Sequence, residues 1–304
     1  MPINILSLPV KDLQYALDCM DLDDLLAFSL CSKRAKNLVK SSKVEVEKIY
    51  AEVDENRINL KISTSQLQKW IWYGKRIKFV LCEDFSIKFK RVDGFQKWEN
   101  TEFTFNHLIA HFLSLSNTSM IRKLKIKNGN SIAYLDTVKQ LIPKCQFLKI
   151  SEECSREFTK IAFLKLSSIG EIVEIDNNPL DNENYISKLL SLNLKSVIFN
   201  DFVNPFKLTL DDLLGLNIAR LTIASINITE RELNRFLKLW MKSSHGFYRP
   251  EHISLLIRNG INRAEVLRGI KYQIVDNKHL LKRADGKELL IDIGLRYVIF
   301  KFRQ

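Results

Sequence analysis

The chain has little glycine and proline, with 10 Gly and 6 Pro among 304 residues. Glycine/serine tracts, proline runs and blocks of five like charges are all missing, which leaves no room for a long flexible linker. The hydrophobic content of 46% is ample for a core and argues against disorder. We therefore expect two domains, or one small module and one large domain.

Signals for export and for membrane insertion are also missing. Residues 1–10 are apolar but have no basic leader, and Pro9 interrupts them, so they do not resemble a signal peptide. No apolar run approaches the roughly 20 residues that a membrane span requires. The five cysteines form no close pair, which is typical of buried thiols in a reducing compartment. These features predict a cytoplasmic or nuclear protein with no membrane partner.

Recognisable catalytic motifs are missing as well: there is no phosphate loop, no dinucleotide fingerprint and no nucleophile elbow. His107 and His111 lie four residues apart on a predicted helix over 105–116, but they lack the Glu and the third ligand of a zinc site. Cys145 and Cys154 have no partners at zinc spacing. The sequence predicts no catalytic residue, no cofactor and no metal, and therefore no enzyme.

Positive charge is in excess and is unevenly distributed. The net charge is +12, and residues 61–130 hold 13 basic but only 5 acidic residues, whereas residues 131–244 hold 14 of each. Such a surface suits nucleic acid or an acidic protein, and it is equally compatible with ordinary solvation. No basic helix with interleaved aromatics is present, so nucleic acid is not the expected partner.

Residues 8–40 carry apolar side chains at helical spacing. Leu13, Leu17 and Met20 follow Pro9, which suits the start of a helix. Asp21 suits the cap of a second, almost entirely apolar helix, and Ser32 precedes a basic third one. Because roughly 40 residues seldom fold unaided, this segment must bury its surface against a partner or against the rest of the chain.

The same segment resembles an F-box over about residues 5–43. The resemblance rests on Leu8-Pro9, on the turn that begins at Met20, and on the Ser32-Lys33-Arg34 entry to the last helix. Many F-boxes have a Trp after the basic pair; the form without it resembles the large nematode set of F-box proteins. The resemblance implies that these helices bind a Skp adaptor and, through it, a cullin. It assigns the adaptor contact to Leu8, Pro9, Leu13, Leu17, Met20, Leu22, Leu25, Leu26, Phe28 and Leu30.

The remainder resembles the F-box-associated domain of type 2, which follows the F-box in that nematode set. The segments that carry this resemblance are Leu210 to Asn217, Leu233 to Lys242, Gly269 to Asp276 and Arg283 to Gly286. Together the two resemblances predict an F-box module at 1–43 and a substrate-binding domain at 44–304. Within the latter we expect a repeat-like core at about 120–258 and a C-terminal β cap at about 270–304.

A short apolar strand pattern recurs about every 24 residues beyond residue 120, with a longer last step. The central pairs are Leu124/Ile126, Leu148/Ile150, Val173/Ile175, Val197/Phe199, Leu221/Ile223 and Ile253/Leu255. Helical patterns lie between them, at 131–142, 155–168, 183–192, 209–216 and after a capping box at Thr229 to Glu232. Strands and helices in alternation predict parallel strands with right-handed crossovers.

The fold class predicted is therefore mixed α/β: a small all-α F-box, then an irregular leucine-rich-repeat-like α/β solenoid with β caps. A two-layer α/β sandwich built from the same elements is the alternative. At the N-terminal end of the large domain we expect a hairpin of 44–53 and 57–63, and strands at 77–81 and 85–92. At the other end, Asp285-Gly286 predicts a two-residue hairpin turn, followed by a strand from Tyr297 to Phe302.

Residues between the paired apolar positions should point away from the core, because side chains alternate along a strand. If the units stack, these residues line one concave row that is suited to substrate binding. The row comprises Lys125, Lys149, Glu174, Ile198, Thr222 and Ser254.

The function predicted is a substrate-recognition subunit of an SCF-type cullin-RING ubiquitin ligase. The F-box would bind the Skp adaptor and the second domain an unknown protein substrate. The alternative is a non-enzymatic repeat scaffold whose basic surface binds nucleic acid or an acidic protein, with the N-terminal helices purely structural.

Overall fold

The computed structural model describes residues 5–20, 22–42, 46–64, 77–81, 87–91, 94–98, 104–116, 118–179, 189–242 and 249–303. The chain divides into two compact units, residues 1–146 and residues 147–304. The predicted boundary after residue 43 follows the family resemblance and stays a prediction. Among the described residues, no helix combines the length and the apolar character needed to cross a membrane.

The first unit contains five helices and six strands within its described residues. They are α1 (Val10–Cys19), α2 (Leu22–Ser29), α3 (Lys33–Ser41), β1 (Val46–Asp54), β2 (Arg57–Thr64), β3 (Ile77–Leu81), β4 (Ile87–Arg91), β5 (Gly94–Trp98), α4 (Phe105–Leu115), β6 (Ile121–Ile126) and α5 (Ile132–Leu141). The sheet runs in the order β6-β1-β2-β3-β4-β5. Strand β6 is parallel to β1, and the other neighbours are antiparallel.

The predicted first hairpin is confirmed, and its turn is held by a tertiary contact that the sequence did not reveal. Glu55 and Asn56 both have positive φ, of 46° and 54°, as a two-residue turn between right-twisted strands requires. Asn130 holds this turn from beyond β6: its Oδ1 accepts from the Asn56 N–H at 2.9 Å, and its Nδ2 donates to the Lys127 carbonyl at 2.7 Å. The end of β6 is thereby tied to the β1–β2 turn.

The second unit follows strand β7 (Cys145–Ile150), which spans the division. Its elements are α6 (Arg156–Leu166), β8 (Gly170–Ile175), β9 (Ser196–Phe199), β10 (Phe206–Lys207), α7 (Leu210–Leu214), β11 (Arg220–Asn227), α8 (Glu230–Lys242), β12 (His252–Ile257), α9 (Arg263–Val266), β13 (Gln273–Val275), β14 (Lys278–Lys282), β15 (Glu288–Ile293) and β16 (Tyr297–Arg303). The sheet order is β8-β9-β11-β12-β16-β15-β14-β13. It is parallel from β8 to β12 and antiparallel from β12 onwards.

One face of this second sheet forms the core with the helices. Val173, Val197, Leu221, Ile253 and Phe300 are direct cross-strand partners in succession, and each is fully buried. The helices cover this face through aromatic contacts, with Phe236 of α8 at 5.5 Å from Phe300 and Phe163 of α6 at 6.5 Å from Phe199 between ring centroids. The opposite face carries the intervening, half-exposed residues.

The six predicted strand pairs beyond residue 120 all lie in strands, and the mixed α/β class is confirmed. The solenoid, with the two-layer sandwich as its alternative, stays a prediction. Most of the helix predicted at 183–192 lies outside the described residues. Asp285-Gly286 lies in a hairpin between β14 and β15, as predicted, but the predicted two-residue turn is wrong: the last strand pair is Lys282 with Glu288, and inside it the Arg283 N–H donates to the Lys287 carbonyl at 2.9 Å. The two-residue turn of this region is Asp276-Asn277, whose φ values are 49° and 60°.

Candidate adaptor and substrate surfaces

The N-terminal helices form a small module with its own apolar cluster. Leu13, Leu17, Leu25 and Val39 are buried together, and partly buried residues such as Ile5 and Leu8 pack against them. Helix α3 begins as the sequence predicts, since the Ser32 hydroxyl accepts from the Ala35 N–H at 3.0 Å. Asp21, the predicted cap of α2, lies outside the described residues.

The structure changes the role of half of the ten residues assigned to the adaptor. Five leucines are at most 5% exposed and are therefore covered by the chain itself; they are Leu13, Leu17, Leu25, Leu26 and Leu30. A buried side chain cannot also contact a partner, so direct contact by these five is corrected to a supporting role in the module. Leu8, Met20 and Phe28 are half-buried and Pro9 is exposed. Leu22 lies in α2, but its side chain is outside the described part.

Two exposed apolar residues of α1 were not singled out from the sequence. Val10, the first residue of the helix, is 84% exposed, and Tyr15 is 74% exposed. Large apolar side chains left in water are informative when they lie beside a surface already suspected of binding. With Pro9 they make α1 the most exposed apolar part of the described module. The signal in the sequence was that Tyr15 does not fall on the Leu13–Leu17 stripe, whereas Val10 has the i, i+3, i+7 spacing of that stripe and is exposed nonetheless.

The candidate substrate row is a true cross-strand row within the second unit. Glu174 pairs with Ile198, Ile198 with Thr222, and Thr222 with Ser254. The register continues from Ser254 to Ile299 and from Ile299 to Asp292. All six side chains are half-exposed, on the face opposite the helices. We refer to these residues as the open-face row.

Lys149, which the sequence placed in the predicted substrate row, does not present an open cation. Its Nζ lies 2.7 Å from Glu174 Oε1 and 2.9 Å from Asp176 Oδ2, and its side chain is 21% exposed. Burial alone would lower the pKa of Lys149, but hydrogen bonding to the two carboxylates outweighs it and raises the pKa above the usual value. Asn200 donates to the same Glu174 oxygen at 2.9 Å. Lys149 and Glu174 are thus parts of a structural polar cluster.

Lys125, the first residue of the predicted row, lies in the first unit on β6. Its strand partner is Glu52, and Lys123 is the partner of Tyr50. Lys125 and Lys123 line a surface groove of about 240 Å³ together with Tyr50, Ala51, Glu52 and Lys61.

The histidine and cysteine residues do not assemble a reactive site in the described part of the chain. His107 is exposed and His111 is buried. No group of three or more metal-binding side chains occurs among the described residues. Burial raises the pKa of the Cys145 thiol to about 12, which keeps it protonated and unreactive. Cys19 and Cys31 are exposed, against the expectation of buried thiols.

Comparisons with known proteins match both resemblances. Residues 5–47 match the F-box domain model, and residues 185–253 match the model described as F-box associated. An uncharacterized protein of Caenorhabditis elegans is 28% identical over 121 residues, which cover 38% of this chain and 28% of that protein. The aligned part therefore spans less than a third of the relative. No solved structure gives a significant match. The chain thus matches both an F-box domain and an F-box-associated domain, which is consistent with a nematode F-box protein.

Proposed function

We propose that the chain is the substrate-recognition subunit of an SCF-type cullin-RING ubiquitin ligase. The observation that carries the proposal is the F-box match at residues 5–47. The matched segment forms a helical module whose leucine cluster is already buried within the chain. Its exterior still presents Pro9, Val10 and Tyr15 to solvent. A module that needs no further cover for its core, yet exposes apolar residues on α1, is suited to docking on a Skp adaptor.

In this proposal the chain performs no chemistry of its own. F-box proteins with an associated domain are typically adaptors, and tethering alone accelerates transfer by raising the effective concentration of the substrate near the conjugating enzyme. The Skp adaptor would connect the module to a cullin. The substrate would be a protein bound by the second domain.

The open-face row is the surface that we assign to the substrate. It lies partly within the F-box-associated match, which includes Ile198, Thr222 and residues up to Ile253. The side chains at the centre of the row are small and uncharged. Ile198, which lies between Glu174 and Thr222, is the apolar anchor. Strand side chains on an uncovered sheet face are displayed rigidly, so they can select a partner without ordering a loop.

The test is recovery of the Skp adaptor with the full chain after co-expression. Leu8→Ala combined with Pro9→Ala should lower recovery at least roughly tenfold, because burying one leucine is worth about 1.5–3 kcal/mol and about 1.4 kcal/mol is a factor of ten. Phe202→Ala combined with Val203→Ala is a matched control, since both of these exposed apolar residues lie in the second unit. Equal recovery with all three proteins, with folding intact, would refute the proposal.

A further inference from the structure

Strand pairing places lysine positions of the first sheet in register with one another. Lys123 pairs with Tyr50 and Tyr50 with Lys61, while the neighbouring row begins with Lys125 opposite Glu52. The strand pairing continues outward, with Lys78 opposite Lys61 and Lys90 opposite Lys78. Lys88, which is exposed, pairs with Lys97. Positive charge that is scattered in the sequence is therefore gathered by strand pairing onto one sheet.

The described lining of the groove contains one carboxylate among several ammonium groups. Glu52 is held by Lys61 at 2.8 Å and by Lys127 at 3.2 Å. Burial alone would raise the pKa of Glu52, but hydrogen bonds from these lysines outweigh it and lower the pKa below its usual value. The Glu52 carboxylate is therefore ionised, and its charge is already balanced by the ammonium groups of these two lysines. Within the described residues, Lys123 and Lys125 have no carboxylate at ion-pair distance, so their charge is available to a ligand.

We propose that this groove binds an extended, acidic peptide segment of a partner protein. The site is defined by Tyr50, Lys61, Lys123 and Lys125. It lies outside both family-matched segments, 5–47 and 185–253, and therefore goes beyond the function proposed from them. Only the identification of the acidic segment as a ligase substrate rests on that proposed function; the binding itself does not.

The spacing of the lysines selects an extended chain with acidic side chains at alternate positions. Residues two apart on a strand are separated by roughly 7 Å and point to the same face, which holds for Lys123 and Lys125 and equally for alternate residues of an extended ligand. Lysine is a compact point charge that suits a single carboxylate, whereas bidentate phosphate recognition favours arginine.

Two observations favour a peptide over nucleic acid. The groove of about 240 Å³ has room for a few side chains and not for a duplex. Tyr50 is its one described aromatic residue and is half-buried, so a platform on which successive bases could stack is missing from the described part of the groove.

The test is fluorescence anisotropy with the full chain and a short labelled peptide that has glutamate at every second position. Lys123→Gln combined with Lys125→Gln should weaken binding roughly tenfold at low salt, equivalent to about 1.4 kcal/mol. Glutamine is chosen because a glutamate at position 125 would face Glu52 directly and destabilise the strand pair. Lys139→Gln combined with Lys144→Gln removes the same charge from exposed positions of the same unit and should bind like the unaltered protein.

Glu52→Gln provides a change in the opposite direction. It removes the one acidic side chain among the described lining residues of the groove, so it should strengthen peptide binding in the same assay. Added salt should weaken binding by every protein that binds the peptide. Failure of the unaltered chain to bind the peptide, or equal binding by both lysine variants, would overturn the proposal. Tighter binding of a single-stranded oligonucleotide, lost on Lys123→Gln with Lys125→Gln, would overturn it in favour of nucleic acid. Adaptor recovery, measured separately, reports on the ligase proposal alone.

Discussion

Ser29 of α2 and His111 of α4 are joined by a hydrogen bond of 2.8 Å between Oγ and Nε2. The Ser29 hydroxyl donates its proton to the Leu26 carbonyl at 2.6 Å, so its oxygen accepts from His111 and the imidazole carries its proton on Nε2. Both side chains are buried. The N-terminal helices are thereby fastened to the helix that follows the antiparallel strands, by a contact in which His111 is the donor and which the imidazole can make in either charge state.

The burial of His111 should make the first unit sensitive to acid. Burial, with the nearby Lys36 charge, lowers the pKa of His111 from 6.5 to about 4. A depressed histidine pKa stabilises the fold above the unfolded pKa, and that contribution is lost as the pH falls from about 6.5 towards about 4. We expect roughly 2 kcal/mol less stability at pH 5 than at pH 7 from this group alone. Urea unfolding at both pH values measures the free energy of unfolding of the full chain and of His111→Gln. The change between pH 7 and pH 5 should be smaller in the variant. An equal change in both proteins would show that His111 is not the source of the acid sensitivity.

Two neighbouring residues of α1 should separate docking from folding. Tyr15 is 74% exposed, so Tyr15→Ser should lower adaptor recovery while the thermal transition stays unchanged. Leu17 is 1% exposed in the leucine cluster, so Leu17→Ala should cost about 2–5 kcal/mol and lower both recovery and thermal stability. Recovery and melting temperature would be measured on the same preparations. If Tyr15→Ser leaves adaptor recovery untouched, the exposed side of α1 is not the docking surface.

The Lys149 cluster should behave as a structural element. Lys149→Gln leaves Glu174 and Asp176 close together, each at most 20% exposed, without their cation. We expect a loss of about 1–3 kcal/mol, between the values for exposed and buried pairs. Adding Glu174→Gln and Asp176→Asn removes the repulsion between the two carboxylates and should recover part of the lost stability. Denaturant titration of the unaltered chain, the single variant and the triple variant measures these changes in the free energy of unfolding. No loss in the single variant would show that the charges of the cluster make no net contribution to stability.

Substitutions in the open-face row should leave folding and adaptor binding intact but should weaken substrate binding. Thr222→Arg combined with Ser254→Arg places two large cations on direct cross-strand neighbours of the uncovered face. Substrate proteins captured with the adaptor complex under proteasome inhibition, quantified by mass spectrometry, should fall while adaptor recovery is kept. Ala264→Arg combined with Ala284→Arg adds the same charge at exposed positions away from the row. An unchanged set of captured proteins would place the substrate elsewhere.

Local sequence determined the elements of this protein. The apolar pairs from Leu124 onwards mark strands because a half-covered strand buries every second side chain. The Thr229 hydroxyl accepts from the Glu232 N–H at 3.2 Å and the Glu232 carboxylate accepts from the Thr229 N–H at 2.8 Å, as the capping box predicted, because that bonding needs only residues three apart. The Asp54 to Arg57 turn was equally predictable from local sequence, although Asn130 from beyond β6 also holds it.

Only the tertiary structure decided which surfaces these elements share. Periodicity marks a leucine as apolar but does not tell whether its own chain or a partner covers it, and five of the predicted contact leucines proved to be internal. Lys149 meets carboxylates 25 and 27 residues away, and Ser29 meets His111 across 82 residues. Such pairs depend on strand register and helix packing between distant segments. The alignment of lysine positions in the first sheet arises in the same way, because it is the pairing of strands that brings together charges the sequence keeps apart.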